Sequence, residues 1–157
     1  MKKSADDFAK AKEYAYRLLK YRERSTKEIE RRLKEKHFSG NICDKVIAEL
    51  KELGYLDDNR FANMVADSII KFKPGGLALV RSALYAKGVP AKIIDSVISD
   101  VKDGYDEYEA AYALASRRVR RFKDIEPERA KHRIYNLLLR RRFKQETILE
   151  VLNQIFK

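Results

Sequence analysis

Ser25-Thr26-Lys27-Glu28-Ile29-Glu30-Arg31-Arg32-Leu33 is followed by Phe38, Ile42, Val46 and Ile47, and the apolar members of this stretch recur 51 residues later. Ile29 falls on Val80, Leu33 on Leu84, Phe38 on Val89, Ile42 on Ile93, Val46 on Val97 and Ile47 on Ile98, without a gap. Upstream of the same stretch Ala11, Ala15 and Leu18 fall on Ala62, Ala66 and Ile69. A third copy lies 54 residues further on, taking Val80 to Ile134, Leu84 to Leu138, Val89 to Phe143, Val97 to Val151 and Ile98 to Leu152. Its first helix matches at a shift of 49 instead, with Ala62 on Ala111, Val65 on Leu114, Ala66 on Ala115 and Ile70 on Val119. The difference places a five-residue insertion around Lys123-Asp124-Ile125-Glu126-Pro127. Polar positions do not follow the repeat, so the copies share packing and differ in surface.

Within each copy the apolar residues are spaced by three and four, the period of a helix and not of a strand. Phe8, Ala11, Tyr14, Ala15, Leu18 and Leu19 form one such stripe. Ser25 followed by Glu28 is a capping box that opens a second helix. That helix fails around His37-Phe38-Ser39-Gly40, and a third runs to Gly54. The expected architecture is all-α: three tandem three-helix repeats, 5–54, 55–104 and 105–157, stacked into an elongated array that is free to curve. The joints at Gly54-Tyr55-Leu56-Asp57-Asp58 and Val101-Lys102-Asp103-Gly104-Tyr105 each end one helix with glycine and supply acids to cap the next helix start.

The 157-residue chain carries 35 Lys and Arg against 24 Asp and Glu, a net charge of +11, so a polyanion is the expected class of partner. Cys43 is the only cysteine, which excludes a disulfide framework and a multi-cysteine zinc site and fits a reducing cytoplasm. No stretch has the roughly 20 apolar residues of a membrane span, and Met1-Lys2-Lys3-Ser4-Ala5-Asp6-Asp7 lacks an apolar signal segment. Enzymatic constellations are missing. Lys73-Pro74-Gly75-Gly76 has neither the strand nor the Lys-Ser/Thr of a phosphate loop and reads as a turn before the helix from Leu77. His37 and His132 have no ligand partner in sequence, and Asp57-Asp58 reads as cap and dipole partner in preference to a metal dyad. No catalytic residue, metal or cofactor is expected.

The positive charge is unevenly divided, at +5 over 1–54, +1 over 55–104 and +5 over 105–157. Lys27, Arg31 and Lys34 alternate with Glu23, Glu28, Glu30 and Glu35, the pattern of ion pairing on an exposed helix. Arg117, Arg120 and Arg121 instead lie opposite the Ala111, Ala115, Val119 and Phe122 stripe, and Arg140-Arg141-Arg142 with Lys144 crowd the end of the next helix. Guanidinium forks pair with phosphates or carboxylates, so these seven residues are the candidate binding set. Among the nine tyrosines, Tyr14, Tyr108 and Tyr135 sit at or beside stripe positions. Tyr16, Tyr21, Tyr85 and Tyr112 are less firmly placed, and a base-stacking ring would have to lie near the arginines to matter.

Gly54-Tyr55-Leu56-Asp57-Asp58-Asn59-Arg60-Phe61-Ala62, Pro74-Gly75-Gly76, Leu84-Tyr85-Ala86-Lys87-Gly88-Val89 and Leu139-Arg140-Arg141-Arg142-Phe143 together resemble the RecX family of bacterial recombinase regulators. Arg24-Ser25-Thr26-Lys27-Glu28-Ile29 does so too, and the resemblance spans about residues 10–156. It implies three tandem three-helix repeats without catalytic activity or cofactor. It also implies binding in the groove of the RecA filament on DNA, with damped ATP hydrolysis and strand exchange and loss of filament. Some members bind single- or double-stranded DNA directly. Two positions depart from the pattern: Arg142 stands where glycine is common, and His37 stands where the second repeat keeps Gly88. Neither a membrane nor a coiled-coil partner is expected, and the default state is a monomer.

Overall fold

The computed structural model describes residues 2–122 and 124–157, with side chains from residue 5 onward. Lys123, at the start of the expected insertion, and Met1 of the N-terminal segment lie outside the described residues. Among the described residues the chain is helical throughout, without strands. The helices are α1 (Lys2–Tyr21), α2 (Thr26–Glu35), α3 (Gly40–Glu52), α4 (Asp58–Phe72), α5 (Leu77–Ala86), α6 (Ala91–Lys102), α7 (Glu107–Val119), α8 (Pro127–Arg140) and α9 (Gln145–Ile155). None is long and apolar enough to cross a membrane.

The chain divides into two compact units, one running to Met64 and including Leu84–Ile94, the other made of Val65–Ala83 and Asp95–Lys157. The first packs α1, α2 and α3 against one another around Ala11, Ala15, Ile29, Leu33, Val46 and Leu50, all fully buried. The alanines are small where helices approach, and the branched residues fill the space between. The second packs α7, α8 and α9 around Ala111, Ala115, Ile134, Leu138, Ile148 and Val151. Burial follows the repeat: Leu33, Leu84 and Leu138 are each fully buried, as are Ile29, Val80 and Ile134. Cys43 occupies the position that Ile94 and Ile148 occupy in the other copies, and all three are buried. Burial pushes its thiol up, so it serves as a small apolar side chain.

The second helix of every copy ends in the same way. Leu33, Leu84 and Leu138 accept from the backbone N–H of Phe38, Val89 and Phe143, at 3.3, 3.2 and 3.2 Å. His37, Gly88 and Arg142 donate to Lys34, Tyr85 and Leu139, each at 2.9 Å. This is a Schellman motif, whose C′ residue must take left-handed backbone angles. Gly88 does so at φ 72°, and His37 and Arg142 follow at 62° and 56°. The two departures from glycine therefore keep the turn and bear its strain, because a Cβ disfavours that region by roughly 1 kcal/mol. Only Gly88 has a second reason to lack a side chain: a Cβ there would stand 2.5 Å from Lys27 Cβ.

Candidate functional site

The first level of the site is the seating of helix starts. Ser25 caps α2 through its hydroxyl, which accepts from the Glu28 N–H at 3.1 Å while the Glu28 carboxylate accepts from the Ser25 N–H at 3.0 Å. The Ser25 hydroxyl also donates to the Lys87 carbonyl at 2.5 Å. Arg22 donates to Glu28 at 2.7 Å. Burial raises the Glu28 carboxyl, but the Arg22 and Ser25 hydrogen bonds and the Arg22 charge outweigh it and leave the group below its usual range.

The acid pairs at the joints divide their labour in a way that local reading does not anticipate. Asp57 accepts from Arg60 N–H at 3.0 Å and Asp106 from Tyr108 and Glu109 N–H at 2.8 and 3.1 Å, so each caps its own helix as expected. The next acid reaches elsewhere. Asp58 accepts from Thr26 N–H at 2.8 Å, and Glu107 from Leu77 N–H at 3.1 Å, which puts negative charge at the starts of α2 and α5. Gly75 and Gly76 belong to the second of these junctions. The Gly76 N–H donates to the Arg141 carbonyl at 2.9 Å, and Tyr105 donates to the Gly75 carbonyl at 2.9 Å. A Cβ on Gly76 would lie 2.1 Å from the Arg142 carbonyl oxygen. The two glycines thus admit the α8–α9 turn against the α5 start, a role beyond the simple turn expected of them.

That seating forms a cleft of about 390 Å³ in the second unit. Its lining combines apolar Phe72, Pro74, Leu114 and Leu137 with Arg117, Arg118, Arg121 and Arg141. Of the seven expected binding residues, Arg117, Arg121 and Arg141 are brought together, whereas Arg120, Arg140, Arg142 and Lys144 do not line the cleft. Arg120 is the C-cap of α7, Arg142 holds the strained turn, and Lys144 is the N-cap residue of α9. Arg118 joins the cluster and was not among the expected residues. Leu114 carried the signal: Arg117, Arg118 and Arg121 stand three, four and seven positions after it, on its helical face.

The cluster is electrostatically open. Among the described residues none of Arg117, Arg118, Arg121 and Arg141 forms an ion pair, and the Arg117 Nε donates to the Ala113 carbonyl at 3.3 Å. Several bases of the first repeat are committed internally: Lys27 and Lys34 to Glu30, Arg31 and Arg32 to Glu35, Arg22 to Glu28, Lys12 to Glu49 and Lys10 to Asp6. The tyrosines distribute as core and rim. Tyr14, Tyr108 and Tyr135 are half-buried against the two cores, Tyr16 meets Tyr55 edge-on at 5.1 Å, and Tyr112 stacks on Tyr108 at 6.2 Å. Tyr21 and Tyr85 are exposed, and the ring beside the arginines is Phe72. Among the described residues no group of three or more His, Cys, Asp or Glu is placed to hold a metal ion.

Residues 11–50 match the first three-helix domain of RecX and residues 105–152 the third. Regulatory protein RecX of Chlorobium phaeobacteroides is 35% identical over 151 residues, 96% of this chain and 97% of that protein. The RecX of Chlorobaculum tepidum is 32% identical over 145 residues, covering 92% and 88%. The crystal structure of RecX from Lactobacillus salivarius superposes with a TM-score of 0.80 at 21% identity, over 96% of this chain and 97% of that one, a likeness of fold. Three-helix units with these caps, and relatives aligned over almost the whole length, place the chain in the RecX family of regulatory proteins.

Proposed function

We propose that this regulator works without catalysis, by binding the RecA recombinase filament on DNA and reducing its ATP hydrolysis, strand exchange and stability. The three segments 5–54, 55–104 and 105–157 serve as tandem repeats of a monomer acting in the cytoplasm. The supporting observation is the cleft lined by four guanidiniums, without carboxylate partners among the described residues, and by apolar side chains. A protein with no catalytic group shifts its target only by binding one state better than another. Each guanidinium presents its donors in one planar fork, so it pairs with phosphate or carboxylate through two hydrogen bonds at once, and that binding energy is available for the discrimination.

The test is DNA-stimulated ATP hydrolysis by the cognate recombinase, with this protein titrated well below the amount that coats the DNA. Inhibition is expected, and its absence rejects the reading. Reversal of Arg117, Arg118 and Arg121 to Glu is expected to abolish inhibition while circular dichroism keeps the parent helicity. The competing reading, a stand-alone DNA-binding or architectural protein, predicts tight binding to naked duplex. Its log affinity would fall against log salt with a slope of about 0.9 per phosphate neutralised.

A further inference from the structure

Each joint seats the start of a second helix on two acceptors from the following copy. One is the carbonyl that ends that copy's own second helix: Lys87 accepts from the Ser25 hydroxyl, and Arg141 from the Gly76 N–H. The other is the later acid of the joint, Asp58 for the Thr26 N–H and Glu107 for the Leu77 N–H. The acceptors occupy equivalent positions, since Lys87 shifted by 54 is Arg141 and Asp58 shifted by 49 is Glu107. Carboxylate and carbonyl together meet the free N–H groups and the positive end of a helix start.

The first copy carries the same two acceptors. Asp58 shifted back by 51 is Asp7, and Lys87 shifted back by 51 is Lys36. Asp7 stands four positions before the fully buried Ala11, as Asp58 does before Ala62 and Glu107 before Ala111, so the three acids share one place on the first helix. Lys36 is the C-cap of α2 as Arg141 is of α8. Among the described residues Asp7 forms no ion pair and no backbone N–H donates to the Lys36 carbonyl. Lys36 and His37 are exposed. An acceptor pair that holds a helix start at both joints is thus free at the first copy.

The kind of helix start that fits follows from the joints themselves. The third copy has none to offer: α8 begins at Pro127, so Ala130, the equivalent of Gly76, lies inside the helix and donates to the Glu126 carbonyl at 2.9 Å. A second chain therefore lacks a matching free start, and head-to-tail growth through this joint stops. The residue at C′ decides the rest. At the first joint it is Gly88, and Lys27 comes so near that a Cβ on the glycine would stand 2.5 Å from Lys27 Cβ. At the second joint it is Arg142, and the helix start gives way instead, with Gly75 and Gly76 admitting the turn and Ala78 in the place of Lys27. His37 has a side chain, as Arg142 has, so the free end takes a helix start of the second kind.

We propose that Asp7 and the Lys36 carbonyl form a docking site for an α-helix start on a partner protein, one that opens with two glycines and carries a small residue two places later. The carboxylate and the carbonyl accept its first N–H groups, and its lack of side chains lets it pass His37. This end shares no residue with the arginine cleft.

The experiment uses the isotope-labelled full chain and two acetylated peptides, each held helical by a side-chain staple. One copies Pro74–Ala86 and starts Gly-Gly-Leu-Ala, and the other copies Arg24–Glu35 and starts Ser-Thr-Lys. Amide chemical shifts locate binding, and titration gives the affinity. The glycine-start peptide is expected to shift the amides of Lys36, His37 and Phe38, and the serine-start peptide to leave them in place. Asp7→Lys is expected to weaken the glycine-start peptide roughly ten-fold. His37→Gly, which gives this end the form of Gly88, is expected to let the serine-start peptide bind. Both variants are required to keep the parent helicity by circular dichroism, and the comparison of the two peptides on the parent chain stands without either. No shifts with the glycine-start peptide, shifts confined to Glu107 and Arg141, or parent-like affinity in Asp7→Lys overturns the proposal. Equal binding of both peptides to the parent chain also overturns it. So does concentration-dependent association in sedimentation that Asp7→Lys abolishes, which assigns this end to a second copy.

Discussion

The first and third repeats have the same net charge, +5 each, yet α2 of the first and the arginine cluster of the third use theirs in opposite ways. On α2 the bases alternate with acids three and four positions away, and Glu30 and Glu35 between them satisfy Lys27, Lys34, Arg31 and Arg32. On α7 and at the end of α8 the arginines are clustered instead of interleaved, and among the described residues Arg117, Arg118, Arg121 and Arg141 find no acid. Charge available to a partner is therefore a matter of spacing on the helix, and segment totals do not report it. Exposed pairs within a helix contribute little to stability, but each one neutralises a site that a polyanion would otherwise use.

The largest expected effect separates these two surfaces directly. Arg117→Glu, Arg118→Glu and Arg121→Glu together should weaken binding to recombinase-coated DNA by roughly 100-fold or more, because three charge-assisted contacts become repulsive. Lys27→Gln with Lys34→Gln should change it less than about three-fold, since both cations are already paired with Glu30, which cancels half of their charge. Titrations of the two variants in parallel, at fixed salt, give the ratio. Equal losses would erase the distinction between paired and unpaired bases.

Next in size is the junction that builds the cleft. Gly76→Ala forces a Cβ to 2.1 Å from the Arg142 carbonyl and should lower unfolding free energy by about 2–3 kcal/mol, with partial loss of binding as Arg141 shifts. Gly104→Ala, where nothing lies within 4 Å of the added carbon, should be neutral or slightly stabilising. Urea denaturation of both variants measures the contrast.

A smaller effect concerns caps. Ser25→Ala should cost about 1 kcal/mol of stability, whereas α8 has no side-chain cap to lose at Glu126. The Glu28 carboxyl lies below its usual value in the folded chain, so its contribution is present above the unfolded carboxylate range and is lost as pH falls through the folded value. Acid titration of stability should therefore be shallower in Glu28→Gln than in the parent at the acidic end.

The smallest expected effect tests the strained turns. His37→Gly and Arg142→Gly should each stabilise the chain by about 0.5–1 kcal/mol, because glycine takes the observed positive φ without the Cβ conflict. Arg142→Gly should leave recombinase inhibition unchanged, since Arg142 does not line the cleft. A loss of inhibition without loss of stability would extend the binding surface past the cleft.

Much of the fold was legible before any coordinates. The repeat of Leu33, Leu84 and Leu138 predicted three fully buried positions, and Ser25 with Glu28 predicted a capping box that forms. Such features depend on residues a few positions apart, and helix period and cap chemistry act over that range. The pairing of Lys27, Arg31 and Lys34 with their own helix was readable for the same reason.

What escaped local reading involves residues far apart in the chain. Asp58 caps a helix that starts 32 positions earlier, and Glu107 one that starts 30 earlier. Gly76 lacks a side chain because the Arg141–Arg142 backbone lies against it. Phe72, Arg118 and Arg141 line one cleft beside that contact, while Arg120 and Arg140, their neighbours in sequence, do not. Helix type, termini and buried stripe thus follow from the order of the residues, since the backbone and its nearest side chains settle them. The arginine cleft arises only on packing, because close backbone approach between distant segments selects which of many arginines line a common space.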